Sequence, residues 1–146
     1  YRPQSIQAGV LKDASLPLEL ADPASCELRV RADLRLARRA GVALGGELFV
    51  GYDAERGALF FDATRSPGTP RAVCELAPLA LSPGELLDLT VYIDRSVVEV
   101  FANDRQAICR RVYLNDTDRP VVSLRCEGEA DFGWIRAWSM MPAMPY

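Results

Sequence analysis

The feature that most constrains the fold is a strict alternation in CELRVRADLRLA, residues 26–37. Every second residue from Cys26 to Leu36 is apolar, and the residues between them are charged. Side chains with a period of two line one face of a β-strand, so this pattern predicts a strand with one buried and one solvated face. No segment shows a convincing apolar period of 3.6 residues, so we expect strands rather than helices throughout.

Further segments rich in β-branched and aromatic residues follow, separated by turn-forming clusters such as SPGTP and NDTDRP. They predict strands near residues 47–53, 58–64, 71–77, 86–94, 97–103, 106–113, 121–127 and 132–139. Short, evenly spaced strands without a repeated motif favour an all-β fold, a two-sheet antiparallel β-sandwich, for residues 26–146. Residues 1–25 contain three prolines and indicate a lead-in or linker with room for one edge strand.

Composition removes several classes of function. The net charge of -3 argues against nucleic-acid binding, which needs a clustered surplus of Lys and Arg. The chain has no histidine, so a Ser-His-Asp or Cys-His arrangement cannot form within it, and its cysteines lack the CxxC spacing of zinc sites. We therefore expect no metal and no cofactor. No apolar run is long enough to cross a membrane, and residues 1–20 lack the layout of a secretory signal, which slightly favours the cytoplasm.

The four cysteines are expected to be free thiols. Cys26 and Cys126 fall on the apolar positions of their strands, so we expect them in the core as small apolar side chains. Nothing in the spacing requires a bridge, although four cysteines could pair in three ways.

The stretch VYIDRSVVEVFAND, residues 91–104, indicates a hairpin whose turn is centred on Arg95 and Ser96. That register places Tyr92 opposite Glu99, with Asp94 diagonal to Glu99. Diagonal side chains lie about 7–8 Å apart, which fits the acid–base pair of a glycosidase. Both carboxylates project from a short hairpin rather than into a pocket, so we interpret them as surface or docking charges. The opposite face is wholly apolar and is predicted to be core: Leu89, Val91, Ile93, Val98, Val100 and Ala102.

A longer segment around this hairpin, LDLTVYIDRSVVEVFANDRQAICRRVY, resembles the region near the end of glycoside hydrolase family 32, which contains invertases, levanases and inulinases. The matching positions are Asp94, Ser96, Glu99, Val100, Phe101, Asn103 and Asp104. AWSM at 137–140 is similar to the family's usual ending, and LFFDATRSPG at 59–68 resembles an earlier strand and turn. The resemblance extends over roughly residues 26–141.

The resemblance implies a non-catalytic C-terminal β-sandwich, because the family's chemistry is done by an N-terminal propeller. The three catalytic motifs of that propeller are missing: NDT at 115–117 lacks the proline, RSP at 65–67 has Ser for Asp, and CE at 74–75 is reversed. The implied partners are a catalytic propeller, in the same or a separate chain, or a second copy of this chain. A fructan- or sucrose-type carbohydrate is a further implied partner. The expected docking face carries Tyr92, Asp94, Ser96, Val97, Glu99, Phe101 and Asn103.

A second hypothesis is a free-standing carbohydrate-binding module. Trp134 and Trp138 share a parity in the last strand, so they fall on one face if that strand is regular. Exposed indoles there could stack against sugars, whereas buried indoles would be ordinary core residues.

One position departs from the family pattern. Arg105 stands where the family usually has glycine, at a turn position expected to need positive φ. We therefore expect either strain at Arg105 or a different turn, and the facing of the following ICRRVY strand stays open.

Overall fold

The computed structural model describes residues 3–66, 68–69, 73–116 and 118–140. Within these ranges the chain forms strands joined by turns, as the alternation predicts, and no helix there is long and apolar enough to span a bilayer. The first strands are β1 (Gln4–Ile6), β2 (Val10–Pro17), β3 (Ser25–Asp33), β4 (Arg39–Leu44), β5 (Leu48–Asp53) and β6 (Ala58–Asp62). The others are β7 (Cys74–Pro78), β8 (Leu87–Asp94), β9 (Val97–Ala102), β10 (Gln106–Arg111) and β11 (Val122–Ser139).

The strands form two layers that share the long strand β11. The order along the hydrogen-bonded path is β10-β9-β8-β3-β11-β4-β5-β6-β7, and every pairing is antiparallel. The second half of β11 pairs with β3 and β1, whereas its first half pairs with β4 and β2. We call the layer with β1, β3, β8, β9 and β10 sheet one, and the layer with β2, β4, β5, β6 and β7 sheet two. The prediction of an all-β two-sheet sandwich is confirmed.

The sheet bends into two layers where β11 has irregular register, between Cys126 and Glu129. Gly128 lies there with φ +92, in the left-handed region that favours glycine. A Cβ on Gly128 would lie 2.4 Å from the backbone oxygen of Leu36, so only glycine lets the two chain segments approach this closely. Arg35, with φ +47, turns the chain from β3 into β4 beside this point. The strand predicted over 26–37 therefore ends at Asp33.

One core fills the space between the sheets. Inward residues of β3, β8 and β9 in sheet one meet inward residues of β4, β5 and β6 in sheet two, and most are at most 2% exposed. Phe132, from the shared strand, is among the largest fully buried side chains. Cys26 and Cys126 are both 2% exposed within this core, as the alternation predicts. All four cysteines are free, and Cys74 and Cys109 are exposed.

Some strands differ from the prediction. β4 lies in a segment for which we expected no strand, and the strands predicted at 121–127 and 132–139 are one continuous strand, β11. The lead-in at residues 1–25 holds two short strands, one more than expected, and both pair with β11. The segment 71–77, expected as a strand, includes residues outside the described part of the chain, and β7 begins at Cys74.

The outer edges of the two sheets meet at β7 and β10. Arg110 occupies an inward position on β10, two residues after the buried Ile108, yet its side chain is exposed at the edge of the sandwich. Its guanidinium forms an ion pair with Glu75 on β7. Gln106 Nε2 also donates to the backbone oxygen of Pro78 at 3.0 Å. These contacts settle the facing of the ICRRVY strand, because Arg110 closes the open side of the sandwich instead of entering the core.

Candidate functional site: a hairpin patch and a neighbouring cleft

β8 and β9 form the hairpin in the register predicted from the sequence. Tyr92 lies opposite Glu99, and Asp94 lies opposite Val97. The apolar face points into the core, where its members are at most 1% exposed: Leu89, Val91, Ile93, Val98, Val100 and Ala102. The opposite face is therefore the outer surface of sheet one.

We call the outward residues of this hairpin, Tyr92, Asp94, Val97, Glu99 and Phe101, the hairpin patch. The rings of Tyr92 and Phe101 meet edge to face with centroids 5.8 Å apart. Phe101 is 37% exposed, whereas the other four phenylalanines are at most 3% exposed. Asp94 is exposed and Glu99 half-buried, and neither has a hydrogen-bond or ion-pair partner among the residues the structure describes. The patch thus combines apolar area with unpaired carboxylates.

The remaining two residues of the predicted docking face have internal roles. Asn103 Oδ1 accepts a hydrogen bond from the backbone N–H of Asp88 at 2.9 Å, and its Nδ2 donates to the backbone oxygen of Leu86 at 2.8 Å. The backbone oxygen of Ser96 accepts from the N–H of Val112 at 2.7 Å. These contacts fasten the two ends of the hairpin to neighbouring segments, so Asn103 and Ser96 hold the patch in place.

The turn after β9 differs from the family pattern without strain at Arg105. Positive φ falls on Asn103 (+52) and Asp104 (+53), residue types that tolerate the left-handed region, and Arg105 is outside it. The N–H of Arg105 donates to the oxygen of Ala102 at 3.0 Å and closes the turn. Its side chain pairs with Glu85 at 2.6 Å. Of the two outcomes expected from the sequence, the chain adopts the different turn.

Trp134 and Trp138 lie on the outer face of sheet one and are half-buried, so neither indole is in the core between the sheets. The register of β11 shifts between Asp131 and Trp134, and this bulge reverses which residues face outward. Arginines on the same face cover both indoles. The Arg31 and Arg136 guanidinium carbons lie 5.2 and 5.3 Å from the Trp134 ring centroid, and that of Arg29 lies 5.2 Å from Trp138.

A cleft of about 350 Å³ opens on this face beside the hairpin patch. Its floor combines aromatic rings with groups that donate and accept hydrogen bonds, contributed by β3, β8, β9, β11 and the turn after β9. The lining residues are Arg29, Arg31, Asp88, Thr90, Tyr92, Phe101, Asn103, Asp104 and Trp134. Asp94, Val97 and Glu99 do not line it, so the two carboxylates considered as an acid–base pair do not face this cleft.

Arginines already cover the outer face of sheet two. Phe49 and Phe60 pack edge to face with centroids 4.8 Å apart, and they are 3% and 0% exposed. The guanidinium of Arg39 lies over both rings, at 5.0 and 4.9 Å, and that of Arg125 lies 4.6 Å from Phe49. These two rings are therefore buried although they point away from the core.

A charge network holds those arginines in position. Arg39 contacts Glu127 at 2.7 Å and Asp62 at 3.1 Å, and Arg38 also pairs with Glu127. The hydrogen bond from Arg39, together with that from Arg38, lowers the pKa of Glu127 to about 2 against the opposing effect of burial. Burial raises the pKa of Asp62, but the hydrogen bonds from Thr64 and Arg39 outweigh it and the net shift is downward. On the outer face of sheet two, Phe49 and Phe60 are thus covered by arginines whose charges are paired, whereas Leu76 on the same face is 42% exposed.

No group of three or more potential metal ligands comes together in the part of the chain that the structure describes. The cleft was not predictable from the sequence as a site. Alternation placed Arg29 and Arg31 on a solvated face, but it did not indicate that β3 lies between β8 and β11.

The fold defines the class of protein: a two-sheet β-sandwich domain. Comparison with solved structures finds the same fold in a fructosyltransferase from A. japonicus, with TM-score 0.79 and 21% identity, covering 99% of this chain and 27% of that chain. The exo-inulinase from Aspergillus awamori has TM-score 0.78 and 17% identity over 98% of this chain and 29% of that one. Fructan 1-exohydrolase IIa from Cichorium intybus has TM-score 0.78 and 15% identity over 98% and 36%. The chain therefore spans about a third or less of these proteins.

The family model described as "Glycosyl hydrolases family 32 C terminal" matches residues 3–139. The chain belongs to this family, and the resemblance seen in the hairpin segment is confirmed. It is the family's C-terminal β-sandwich domain, and the catalytic domain is not part of these residues. No curated protein matches the sequence.

Proposed function

We propose that this domain packs on a family 32 catalytic propeller through the hairpin patch and stabilises that propeller. Domains of this family are C-terminal parts of larger glycosidases, which supports a catalytic domain as the partner. We assign no catalytic residue to this chain, and we propose that the whole enzyme of which it is a part hydrolyses a fructan or sucrose. The proposal that the hairpin patch is the docking surface goes beyond membership of the family.

The observation that carries this choice of surface is the contrast between the two outer faces. On sheet two, two phenylalanines lie under arginines that are themselves paired with carboxylates. In the hairpin patch, Phe101 is 37% exposed and Glu99 is half-buried without a partner among the described residues. Aromatic residues that remain exposed in an isolated domain are typical anchors of protein interfaces.

The test compares the isolated chain with the same chain joined to the catalytic domain. Reading the coding sequence upstream of Tyr1 shows whether that domain is encoded in cis. If it is not, a family 32 catalytic domain from the same genome is added as a separate chain. Hydroxyl-radical footprinting then measures the solvent access of individual side chains in each state.

We expect Tyr92 and Phe101 to be protected when the catalytic domain is present. Leu76 provides the matched control, because it is 42% exposed and lies opposite Phe60, on the outer face of sheet two. Protection of Leu76 with unchanged Tyr92 and Phe101 would assign docking to sheet two and overturn the proposal. The isolated chain is also footprinted at several protein concentrations. If Tyr92 and Phe101 become protected as the concentration rises, the partner on the hairpin patch is a second copy of this chain and not the propeller.

A further inference from the structure

We propose that the cleft beside the hairpin patch binds a neutral oligosaccharide. This goes beyond the docking role and is testable without a catalytic domain, so the two proposals can fail separately. Tyr92 and Phe101 belong to both surfaces, whereas Asp94, Val97 and Glu99 lie outside the cleft. The cleft therefore shares two aromatic residues with the proposed interface, and its ligand binding is tested on the chain without a catalytic domain.

The charge of the lining indicates a ligand without net charge. Two arginines, Arg29 and Arg31, are matched by two carboxylates, Asp88 and Asp104. An anionic ligand such as a phosphate would meet the two carboxylates, and a cation would meet the two guanidiniums. Ligands rich in hydroxyl groups satisfy both kinds of group, because a hydroxyl donates one hydrogen bond and accepts others.

The Arg31–Asp88 pair shows how a sugar would be held. The Arg31 Nη2 and Asp88 Oδ2 atoms are 3.7 Å apart, too far for a good hydrogen bond, and the two side chains are 49% and 45% exposed. Neighbouring hydroxyls of a sugar ring can accept from Arg31 and donate to Asp88 at once. Charged groups on the protein make such hydrogen bonds about twice as strong as neutral ones.

Aromatic side chains supply the apolar part of the same surface. Phe101 presents an exposed ring, and Trp134 lies half-buried under the guanidinium of Arg31. A sugar ring has apolar C–H faces, and small-molecule sites commonly combine aromatic walls with a few placed polar groups. The volume of about 350 Å³ is within the usual range for such sites. Because Arg31 contacts both Asp88 and the indole, ligand binding at the pair should change the surroundings of Trp134.

The experiment uses ¹⁵N-labelled protein and the indole N–H signals of its two tryptophans. Trp138→Phe assigns the signals, since Trp138 does not line this cleft. The chain is titrated separately with an inulin-type fructan oligosaccharide, with a malto-oligosaccharide and with inorganic phosphate. We expect a saturable shift of the Trp134 signal with a neutral oligosaccharide, little change at Trp138, and no shift with phosphate.

Variants test which residues carry the binding. Asp88→Ala should weaken binding by about tenfold or more, because a hydrogen bond to a charged group is worth at least one decade of affinity. Asp118→Ala is the matched control, since Asp118 is 85% exposed in a loop outside the cleft and should bind as wild type. The amide spectrum shows whether each variant is folded.

The outcomes are decisive in each direction. A response to the fructan alone would narrow the ligand to fructans, and a response to the glucan would support the neutral oligosaccharide class without that narrowing. No saturable shift with either sugar, a shift with phosphate alone, or equal affinity of the folded Asp88→Ala variant would each overturn the proposal.

Discussion

Glu127→Gln is the most informative single change in sheet two, because Glu127 connects the arginines that cover its outer face. The carboxylate accepts from Arg39 Nη2 at 2.7 Å, pairs with Arg38, and lies 3.5 Å from Arg125 Nη2. Glutamine has nearly the same size but no charge. The substitution should therefore leave packing intact while it releases the arginines over Phe49.

The size of the effect follows from the pKa. The value for Glu127 falls from the ordinary 4.5 to about 2, chiefly through the hydrogen bond from Arg39. At about 1.36 kcal/mol per pKa unit, this difference corresponds to about 3.4 kcal/mol as an upper bound. Because the side chain remains 18% exposed, solvent screens part of the interaction. We therefore expect Glu127→Gln to lower the free energy of unfolding by about 1.5–2 kcal/mol near neutral pH.

The pH dependence provides a check that does not depend on packing. A carboxylate whose folded pKa is lowered stabilises the fold fully above its unfolded pKa of 4.5, and this contribution is lost as the pH falls through about 2. The wild type should lose its advantage over Glu127→Gln within that window. Urea unfolding, followed by tryptophan fluorescence at a series of pH values, measures the difference directly.

Glu129→Gln is the matched control on the same strand. Within the part of the chain that the structure describes, the Glu129 carboxylate pairs with the exposed Arg35 alone, at 3.3 Å, and such surface pairs contribute about 0.2–1 kcal/mol. Equal losses for the two variants at neutral pH, or a Glu127→Gln loss that does not diminish at low pH, would refute the network. The claim that paired arginines cover Phe49 and Phe60 on sheet two would then lose its support.

Three further outcomes follow from burial and backbone geometry. In the isolated domain Val100→Ala should lower the free energy of unfolding by about 2–4 kcal/mol, and Phe101→Ala should lower it less because the ring of Phe101 faces outward. If urea unfolding shows equal losses for the two variants, both faces of the hairpin lie in a core. Gly128→Ala should lower the free energy of unfolding by more than the typical penalty of about 1–2 kcal/mol for a non-glycine residue at positive φ, because the added Cβ would meet the Leu36 backbone. An unchanged urea midpoint would contradict this. Thiol titration should find that Cys109 reacts in the native protein and that Cys26 reacts only after denaturation, because Cys109 is exposed and burial raises the pKa of Cys26 to about 12. Rapid reaction of Cys26 in the native protein would contradict its burial.

The hairpin was predictable because its information is local. Turn chemistry at Arg95–Ser96 and the alternation on either side fix the register, since a slip by one residue would bury Glu99. The family motif lies in the same segment, so fold and membership could be inferred together. The same locality identified Tyr92 and Phe101 as outward aromatics.

The features that the sequence did not predict, namely β4, the facing of the tryptophans and the cleft, depend on contacts between residues distant in the chain. β4 shows no alternation because both of its faces are covered: Ala40, Val42 and Leu44 face the core, and Ala43 packs with Phe49 and Phe60 on the outer face. The sequence left the facing of the two tryptophans open, and the bulge before Trp134, which changes the parity of β11, is not visible in the local pattern. The cleft joins Arg31, Asp88 and Trp134, which come from three strands whose adjacency no local pattern indicates.

The energetic cost of covering each outer face favours sheet one as the surface that meets a partner. Burying the Arg39–Glu127–Asp62 network would remove water from charges that are already paired, and the gain from such pairs seldom exceeds their desolvation cost. Burying Phe101 removes apolar area from water. Glu99 has no partner among the described residues, so its carboxylate can accept a hydrogen bond from an arginine or an N–H group of the partner. This comparison supports the proposal that a partner docks on the hairpin patch rather than on sheet two. The hydrogen bonds of Asn103 and Ser96 hold the patch in one conformation before binding, so less conformational entropy is lost when a partner binds.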